Sequence, residues 1–245
     1  MSDGSTRLVL VTGATRGLGL AIAERLLQSE YRVVATGRAE TASLQKLGKA
    51  HPDRMHFASF DLSATHDIGD FVRNIVRNHG PLYGLINNAA MGLDGVLATM
   101  HDSQIEEMVR VNVLASVLMA KYASRSMLSR RCGRIIQIAS IIANTGFNGL
   151  AAYGATKAAM IGLTKSLARE LGPAGITVNA VSPGYMATQM TQGMDDETLR
   201  KIERRSPLSR LVDPSEVASA VGFLLSDEAS SITGSNVTID AGSTA

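Results

Sequence analysis

Seven short aliphatic runs recur along the chain, separated by stretches with helical periodicity. The runs cover residues 8–11, 32–35, 55–60, 82–87, 133–139, 177–181 and 236–239. Strands that alternate with helices pair in parallel and are covered by helices on both faces, so this pattern predicts an α/β fold with a doubly wound parallel sheet of about seven strands. In such a sheet ligands bind at the carboxyl ends of the strands, where the strand order reverses.

The chain has 245 residues, of which 45% are hydrophobic, and this size suits one large domain. We predict a single domain over residues 1–245, with a cofactor half at about 7–140 and a catalytic and substrate half at about 141–245. Residues 185–210 exceed what the sheet requires and form a candidate lid. Met186, Met190 and Met194 lie there at four-residue spacing, which fits either the floor of an apolar pocket or an ordinary buried helix face.

Composition excludes several classes of function. A formal charge of +2 and an aromatic content of 4% argue against a nucleic-acid partner. Cys132 is the only cysteine, and the five histidines are scattered, so we expect no metal site. The first apolar stretch is interrupted by Gly13 and Arg16, which argues against a signal peptide or membrane span. We expect a cytoplasmic protein.

A glycine-rich turn follows the first strand in the sequence Thr-Gly-Ala-Thr-Arg-Gly-Leu-Gly. Gly13, Gly17 and Gly19 would keep this turn free of side chains, so that a pyrophosphate could approach the backbone amides and the positive end of the next helix. The alternative is that the glycines serve packing alone. The apolar strand before the turn favours dinucleotide binding.

The second strand ends at Gly37 and Arg38, where a site for NAD would place an acidic residue. Arg38, together with Arg16 from the glycine turn, could instead hold a 2′-phosphate through charge-assisted hydrogen bonds. We therefore predict NADP(H) in preference to NAD(H). Glu40 lies close enough to compete for Arg38, and a purely structural surface arginine is the alternative.

Tyr153 and Lys157 are four residues apart, so a helix through them places both on one face. A cation at ~4 Å could lower a phenol pKa by roughly three units from its usual ~10, which would make Tyr153 a proton donor. Ser140, at the end of an apolar run, offers a second hydroxyl to the same substrate oxygen. This set predicts carbonyl–alcohol chemistry, although tyrosine and lysine at this spacing also occur on ordinary amphipathic helices.

These motifs, in this order, resemble those of the classical short-chain dehydrogenases/reductases, and most closely the 3-oxoacyl-[acyl-carrier-protein] reductases. The resemblance runs from the first strand to Gly242 and implies a Rossmann-type fold. The site residues that it implies for cofactor binding are Thr12, Gly13, Thr15, Arg16, Gly17, Leu18, Gly19, Arg38, Asp61, Leu62, Asn88, Ala89, Ala90, Tyr153, Lys157, Pro183, Gly184, Met186 and Thr188.

By the same resemblance the catalytic residues are Asn112, Ser140, Tyr153 and Lys157, with Asn112 holding a water in a proton relay to Lys157. A core amide that bonds a helix carbonyl is the alternative for Asn112. The resemblance also implies a homotetramer and an acyl-thioester substrate carried by acyl carrier protein. Arg131 matches one of the two arginines that dock the carrier in such enzymes, whereas Ala174 stands where the second is usual.

One further departure is Ala90, which replaces a common glycine and should be tolerated unless its φ is positive. We expect NADPH-dependent reduction of a ketone to a secondary alcohol, with a 3-oxoacyl thioester as the favoured substrate. A carbonyl, sugar or steroid reductase of broad specificity is the alternative. A catalytically idle dinucleotide-binding regulator is the alternative of another class.

Overall fold

The computed structural model describes residues 7–186 and 196–245, and its seven strands form one parallel sheet. The strands are β1 (Leu8–Thr12), β2 (Arg32–Gly37), β3 (Met55–Ser59), β4 (Leu82–Asn87), β5 (Gly133–Ile138), β6 (Ile176–Pro183) and β7 (Asn236–Ile239). They are ordered β3–β2–β1–β4–β5–β6–β7, and every neighbouring pair is parallel. The order reverses between β1 and β4, as in other doubly wound sheets.

Helices connect the strands and cover both faces of the sheet. Within the described residues they are α1 (Gly17–Gln28), α2 (Ala42–Ala50), α3 (Ile68–His79), α4 (Asp102–Val109), α5 (Ala115–Arg130), α6 (Ile142–Thr145), α7 (Ala151–Leu171), α8 (Asp196–Arg205) and α9 (Pro214–Leu225). A π-helical turn, Arg110–Leu114, joins α4 to α5.

The strands are apolar throughout because both faces of the sheet are buried. In β1, Val9 and Val11 point into a core shared with α1, α2 and α9, whereas Leu8 and Leu10 point into a second core shared with α3, α5 and α7. Alternation of side chains along a strand thus divides one continuous apolar run between two cores. The predicted fold class, a Rossmann-type sheet with helices on both faces, is confirmed.

Some predictions concern residues that the structure does not describe. Thr188, Met190 and Met194 lie outside the described ranges, and so does much of the candidate lid. Met186 is described and packs against the core that contains α1 and α9. None of the helices within residues 7–186 and 196–245 combines the length and the apolar character needed to cross a bilayer.

Two histidines lie in contact at the edge of the sheet. The rings of His56 in β3 and His79 at the end of α3 have centroids 4.5 Å apart, and the His56 Nε2 atom is buried without a hydrogen-bond partner. Burial is the main cause that lowers the pKa of both histidines, and the nearby Arg32 lowers them further, whereas Asp53 opposes this shift at His56. The folded protein therefore favours the neutral rings.

We predict that this pair makes stability depend on pH. An unfolded histidine takes up a proton near pH ~6.5, whereas the folded pair resists protonation until a lower pH, so the free energy of unfolding should decrease as the pH falls below about 6.5. Replacing both rings (His56→Gln with His79→Gln) should flatten this slope between pH 7.5 and 5, measured by urea unfolding. His101→Gln, at an exposed residue, is the control. An unchanged slope in the double variant would contradict the prediction.

Candidate active site

The glycine turn after β1 is built by close packing of its own backbone. Gly13 has a φ of +63°, and a Cβ there would lie 2.8 Å from the Ala89 Cα atom. A Cβ at Gly19 would lie 2.2 Å from the Gly13 carbonyl oxygen. Gly17 differs, because it is exposed at the first position of α1 with a φ of +53°. Two of the three glycines therefore serve packing, and Gly17 is the one that leaves the helix start open.

The hydroxyl of Thr12 joins the ends of β1 and β4. Its Oγ1 atom donates to the Ile86 carbonyl (3.2 Å) and accepts from the backbone amides of Asn88 and Ala89, each at 3.0 Å. The Asn88 side chain bonds the end of β1 in the opposite direction, since its Nδ2 atom donates to the carbonyls of Thr12 (2.9 Å) and Gly13 (3.1 Å). Thr12 is only 1% exposed, so its side chain and that of Asn88 support the turn from below.

The turn is also fixed to the end of β2. The Ala14 amide donates to the Thr36 carbonyl (3.1 Å), and the Thr41 hydroxyl donates to the Thr15 carbonyl (2.7 Å). A Cβ at Gly37 would lie 2.6 Å from the Thr15 side chain, so the two segments touch. These contacts bring together the residues that follow Thr15 and Gly37.

Those following residues are Arg16 and Arg38, and both are exposed. Glu40, the predicted competitor for Arg38, accepts a hydrogen bond from Gln45 instead (3.2 Å). Arg16 precedes α1, whose first turn has no side-chain cap. Two cations and uncapped helical amides therefore lie on the same edge of the sheet, which is an arrangement that suits a phosphate-bearing ligand.

Asp61 and Leu62 follow β3 on the same edge. The Asp61 carboxylate accepts a hydrogen bond from the Ser63 amide (2.9 Å), and this bond, helped by the charge of Arg38, lowers the pKa of Asp61. The carboxylate is exposed and available to a ligand, whereas Leu62 is half-buried against the core beside α3.

Ala89 and Ala90 continue from β4. Ala89 packs against Gly13, as described above, and Ala90 is half-buried. Among the described residues other than glycine, a positive φ occurs only at Glu30, Arg131, Ser209 and Ala241. Ala90 is not one of them, so the methyl group that distinguishes it from glycine is accommodated without strain, as predicted.

Tyr153 and Lys157 lie in the first two turns of α7, and Ser140 lies between β5 and α6. The Ser140 hydroxyl lies close enough to the Tyr153 phenol to act on it as a hydrogen-bonding group, which lowers the pKa of Tyr153. Burial has the larger effect and raises the pKa of Tyr153 to about 12. The two hydroxyls are therefore adjacent, and the phenol is protonated at neutral pH.

The prediction that Lys157 lowers the pKa of Tyr153 is wrong for this structure. The ammonium nitrogen of Lys157 lies 5.8 Å from the centre of the Tyr153 ring and donates to the Ile138 carbonyl (2.7 Å) at the end of β5. Lys157 is itself buried, and this burial lowers its pKa to about 8. Helical spacing puts both side chains on one face, but burial dominates the pKa of Tyr153, and Lys157 is not among the groups that shift it.

Asn112 lies in the π-helical turn, and its side-chain amide makes three hydrogen bonds. Oδ1 accepts from the Met91 amide (2.7 Å), while Nδ2 donates to the Met91 carbonyl (2.8 Å) and to the Thr156 hydroxyl (3.0 Å). Thr156 in turn donates to the Tyr153 carbonyl (2.7 Å). The side chain of Asn112 thus tethers α7 to the loop after β4. Asn112 therefore resembles the alternative of a buried structural amide, except that the carbonyl it bonds belongs to a loop residue, Met91, and not to a helix.

Pro183 ends β6 on the same edge of the sheet, and Gly184 and Met186 follow it. The Pro183 carbonyl accepts from the Ile141 amide (3.1 Å), next to Ser140. A Cβ at Gly184 would lie 2.7 Å from the Asp240 Cα atom, so glycine permits a close approach to the end of β7. Thr188, the last predicted cofactor residue, lies outside the described residues.

Comparisons with known proteins identify the family. A family model described as Enoyl-(Acyl carrier protein) reductase matches residues 13–244. The chain belongs to the short-chain dehydrogenase/reductase family. It is 38% identical over 239 residues to the 3-oxoacyl-[acyl-carrier-protein] reductase FabG of Salmonella typhimurium, covering 96% of each chain.

Two further relatives span nearly the whole of this short-chain dehydrogenase/reductase. The 3-oxoacyl-[acyl-carrier-protein] reductase MabA of Mycobacterium tuberculosis is 35% identical over 237 residues, which cover 97% of this chain and 92% of that protein. A solved structure described as ElxO with NADP bound superimposes with a TM-score of 0.89 at 30% identity, covering 98% of this chain and 99% of that one.

Sequence reasoning missed two residues of this dehydrogenase/reductase site. Thr156 is a buried polar residue in an alanine-rich helix, between Tyr153 and Lys157, and that position was the available signal. Tyr185 follows the Pro183–Gly184 element, and its hydroxyl is buried beside the site. An aromatic residue in a loop carried no comparable signal in the sequence.

We predict that the Thr12 hydroxyl stabilises the joint between β1 and β4. Thr12→Val keeps the shape but removes the acceptor of the Ala89 amide, whereas the Asn88 amide retains the Ile86 carbonyl as a second partner (3.1 Å). Loss of one such bond should lower the free energy of unfolding by about 1–3 kcal/mol in urea titrations. Thr12→Ser keeps the hydroxyl and should stay much closer to the parent protein. Equal stability of both variants would contradict the role of this hydroxyl.

Proposed function

We propose that this protein is an NADPH-dependent reductase that converts a ketone into a secondary alcohol. The observation that carries the proposal is the adjacency of Ser140 and Tyr153, one helical turn from Lys157, on the sheet edge that also holds the glycine turn. Two hydroxyls meet there, where both can hydrogen-bond one oxygen. Negative charge develops on that oxygen when a ketone is reduced, so hydrogen-bond donors at this position stabilise the transition state.

The residues on this edge fit a dinucleotide. The uncapped start of α1 and the exposed Gly17 would receive the pyrophosphate, and the exposed carboxylate of Asp61 would meet the adenine. Arg16 and Arg38 are positioned by the contacts of Thr15 with Gly37, and both are exposed for a 2′-phosphate. This arrangement favours NADPH over NADH, in keeping with the NADP named for the ElxO structure.

NADPH, when bound, supplies the hydride that reduces the ketone carbon. Tyr153 donates its phenolic proton to the oxygen, and Ser140 donates a hydrogen bond to the same atom. An alkoxide is far more basic than a phenolate, so the transfer is favourable even though the pKa of Tyr153 is about 12. Lys157, with a pKa near 8, carries an exchangeable proton one turn away that can restore the phenol.

The favoured substrate is a 3-oxoacyl thioester. FabG and MabA are named as 3-oxoacyl-[acyl-carrier-protein] reductases, and the identity extends over nearly the entire chain. The family model is instead described by an enoyl reductase. Reduction of a carbonyl suits this site better than reduction of a carbon–carbon double bond, because its final proton goes to the oxygen that Ser140 and Tyr153 serve, whereas enoyl reduction ends with a proton on carbon.

Acyl carrier protein is the proposed carrier of this substrate, with Arg131 as a docking residue. Arg131 is exposed and has a positive φ of 49°, and its guanidinium donates to the Pro173 carbonyl (2.7 Å). Ala174, where a second arginine is usual, is 9% exposed and offers no charge. We therefore expect weaker dependence on the carrier than two docking arginines would give.

A homotetramer in the cytoplasm is the proposed assembly. Support comes from apolar side chains that stay 37–45% exposed along α4, the π-helical turn and α5, namely Val109, Leu114 and Val117. Exposed apolar surface of this kind is frequent at interfaces between protein chains. The long helices around Asn112 and Tyr153 would then lie between subunits.

Tyr153→Phe tests the proposed reaction. Because general-acid catalysis typically contributes 10²–10⁴-fold, the variant should lose about that much turnover of an acetoacetyl thioester with NADPH. The affinity for NADPH, followed by cofactor fluorescence, should change little, since the removed atom serves the substrate oxygen. Near-full activity in the variant would reject the role of Tyr153.

The same assay should include acetoacetyl groups on acyl carrier protein and on a small thiol, as well as unrelated ketones, sugars and steroids. Preference for the thioesters is expected. Comparable rates with unrelated ketones would indicate a reductase of broad specificity. Binding of NADPH without turnover of any carbonyl would indicate the catalytically idle regulator.

Arg38→Asp tests the choice of cofactor. Hydrogen bonds to a charged group contribute about 1.5–3 kcal/mol, so loss of the arginine should lower the ratio of NADPH to NADH efficiency by roughly 10- to 100-fold. Arg77→Asp, an equal charge change at an exposed position of α3, is the matched control and should leave the ratio unaltered. An unaltered ratio in the Arg38 variant as well would show that Arg38 does not hold the phosphate.

A further inference from the structure

Tyr185 is held in place by backbone contacts on both sides. It follows β6, and the Gly184 amide donates to the Ile239 carbonyl (2.8 Å) at the end of β7. The Val212 amide donates to the Tyr185 carbonyl (3.0 Å), and Met186 forms an isolated parallel bridge with Val212. The backbone of Tyr185 is therefore fixed on both sides of the residue.

The hydroxyl of Tyr185 is buried and has no hydrogen-bond partner within the part of the chain that the structure describes. Its ring lies edge-on to Phe147, with centroids 6.0 Å apart at an angle of 64°. A phenol with a fixed ring cannot easily turn its hydroxyl towards water. Buried hydroxyls almost always find a partner, so an unpartnered one at a reaction site suggests that a ligand supplies the missing acceptor.

The groups around this hydroxyl show that it lies within electrostatic range of the Tyr153 phenol. Tyr185 is close enough to Tyr153 to contribute to the raised pKa of that phenol. Burial is the main cause that raises the pKa of the Tyr185 phenol. Asp94, from the loop after β4, raises it further, and Arg205, from the end of α8, lowers it. Segments that follow three different strands, β4, β5 and β6, thus contribute the groups around this hydroxyl.

The ketone oxygen has no need of this third hydroxyl. A carbonyl oxygen accepts two hydrogen bonds, and Tyr153 and Ser140 supply both in the proposed reaction. A donor beside them is therefore suited to a different acceptor on the same substrate. In a 3-oxoacyl thioester, the thioester carbonyl oxygen lies two carbons from the ketone and provides such an acceptor.

We propose that Tyr185 determines specificity by donating a hydrogen bond to a second carbonyl oxygen of the substrate, two carbons from the ketone. The inference rests on the proposed ketone reduction and narrows its substrate class to 1,3-dicarbonyl compounds, with thioesters among them. A site that offers a buried donor discriminates against substrates without the acceptor, because the donor then stays unpaired.

Tyr185→Phe removes this hydroxyl alone. The variant should reduce the acetoacetyl thioester of a small thiol with kcat/KM lowered about 3- to 10-fold, the range expected for one neutral hydrogen bond. For a mono-ketone of equal chain length that lacks the second carbonyl, kcat/KM should change less than about 2-fold. Tyr122→Phe, which removes a phenol hydroxyl on α5, is the matched control and should alter neither substrate.

Thermal unfolding provides a second readout. Because the Tyr185 hydroxyl has no hydrogen-bond partner among residues 7–186 and 196–245, Tyr185→Phe should melt at or above the temperature of the parent protein. A clear decrease would reveal a structural partner and overturn the proposal. In the kinetic assay, an equal decrease of kcat/KM for the thioester and the mono-ketone, or no decrease for either, would overturn the proposal as well.

The parent enzyme separates this inference from the function on which it rests. A parent protein that reduces the thioester, combined with a Tyr185 variant of unaltered selectivity, refutes the role of Tyr185 alone. A parent protein that reduces neither the thioester nor a 3-oxo ester with NADPH refutes the proposed function, and the inference falls with it.

Discussion

The Thr12 hydroxyl joins the two strands between which the order of the sheet reverses. It bonds β4 through one carbonyl and two amides, while Asn88 returns two bonds to β1 and the glycine turn. The glycine turn depends on that joint, because Gly13 packs on Ala89 and Gly19 packs on Gly13. The turn can remain open at Gly17 only because its base is held so closely. Cofactor binding and strand packing therefore share one set of contacts.

A second support acts on α7, and it explains how Tyr153 is held. The π-helical turn places Asn112 between the loop after β4 and Thr156, and Thr156 bonds the carbonyl of Tyr153. This chain fixes the backbone of Tyr153 without touching its phenol. The phenol is therefore positioned by the scaffold and protonated by burial, which is the state that a proton donor requires.

The sequence was sufficient to predict the parallel sheet and to place the candidate residues at the carboxyl ends of its strands. Aliphatic runs predict strands well because a parallel sheet is buried on both faces, and β4 and β7 have the predicted bounds. Their order follows from right-handed crossovers. The pKa of Tyr153 was not predictable, because helical spacing reports which residues share a face but not how much water the fold removes. The roles of Gly13 and Gly19 depended equally on tertiary contacts that spacing does not contain.

A buried polar atom that lacks a hydrogen-bond partner does not by itself identify a ligand-binding site. The Arg134 Nε atom is also buried and unpartnered among the described residues, yet it lies near the start of β5, at the opposite edge of the sheet. There the guanidinium contacts the Asp227 carboxylate at 3.7 Å and donates to the Gly133 carbonyl at 2.9 Å, so its other nitrogens have partners and its charge is paired. Tyr185 combines an unsatisfied hydroxyl with the carboxyl edge and with Tyr153 as a neighbour. The Thr36 hydroxyl, near the carboxyl end of β2, is also buried without a partner in residues 7–186 and 196–245, so it is Tyr153 as a neighbour that points to a ligand at Tyr185.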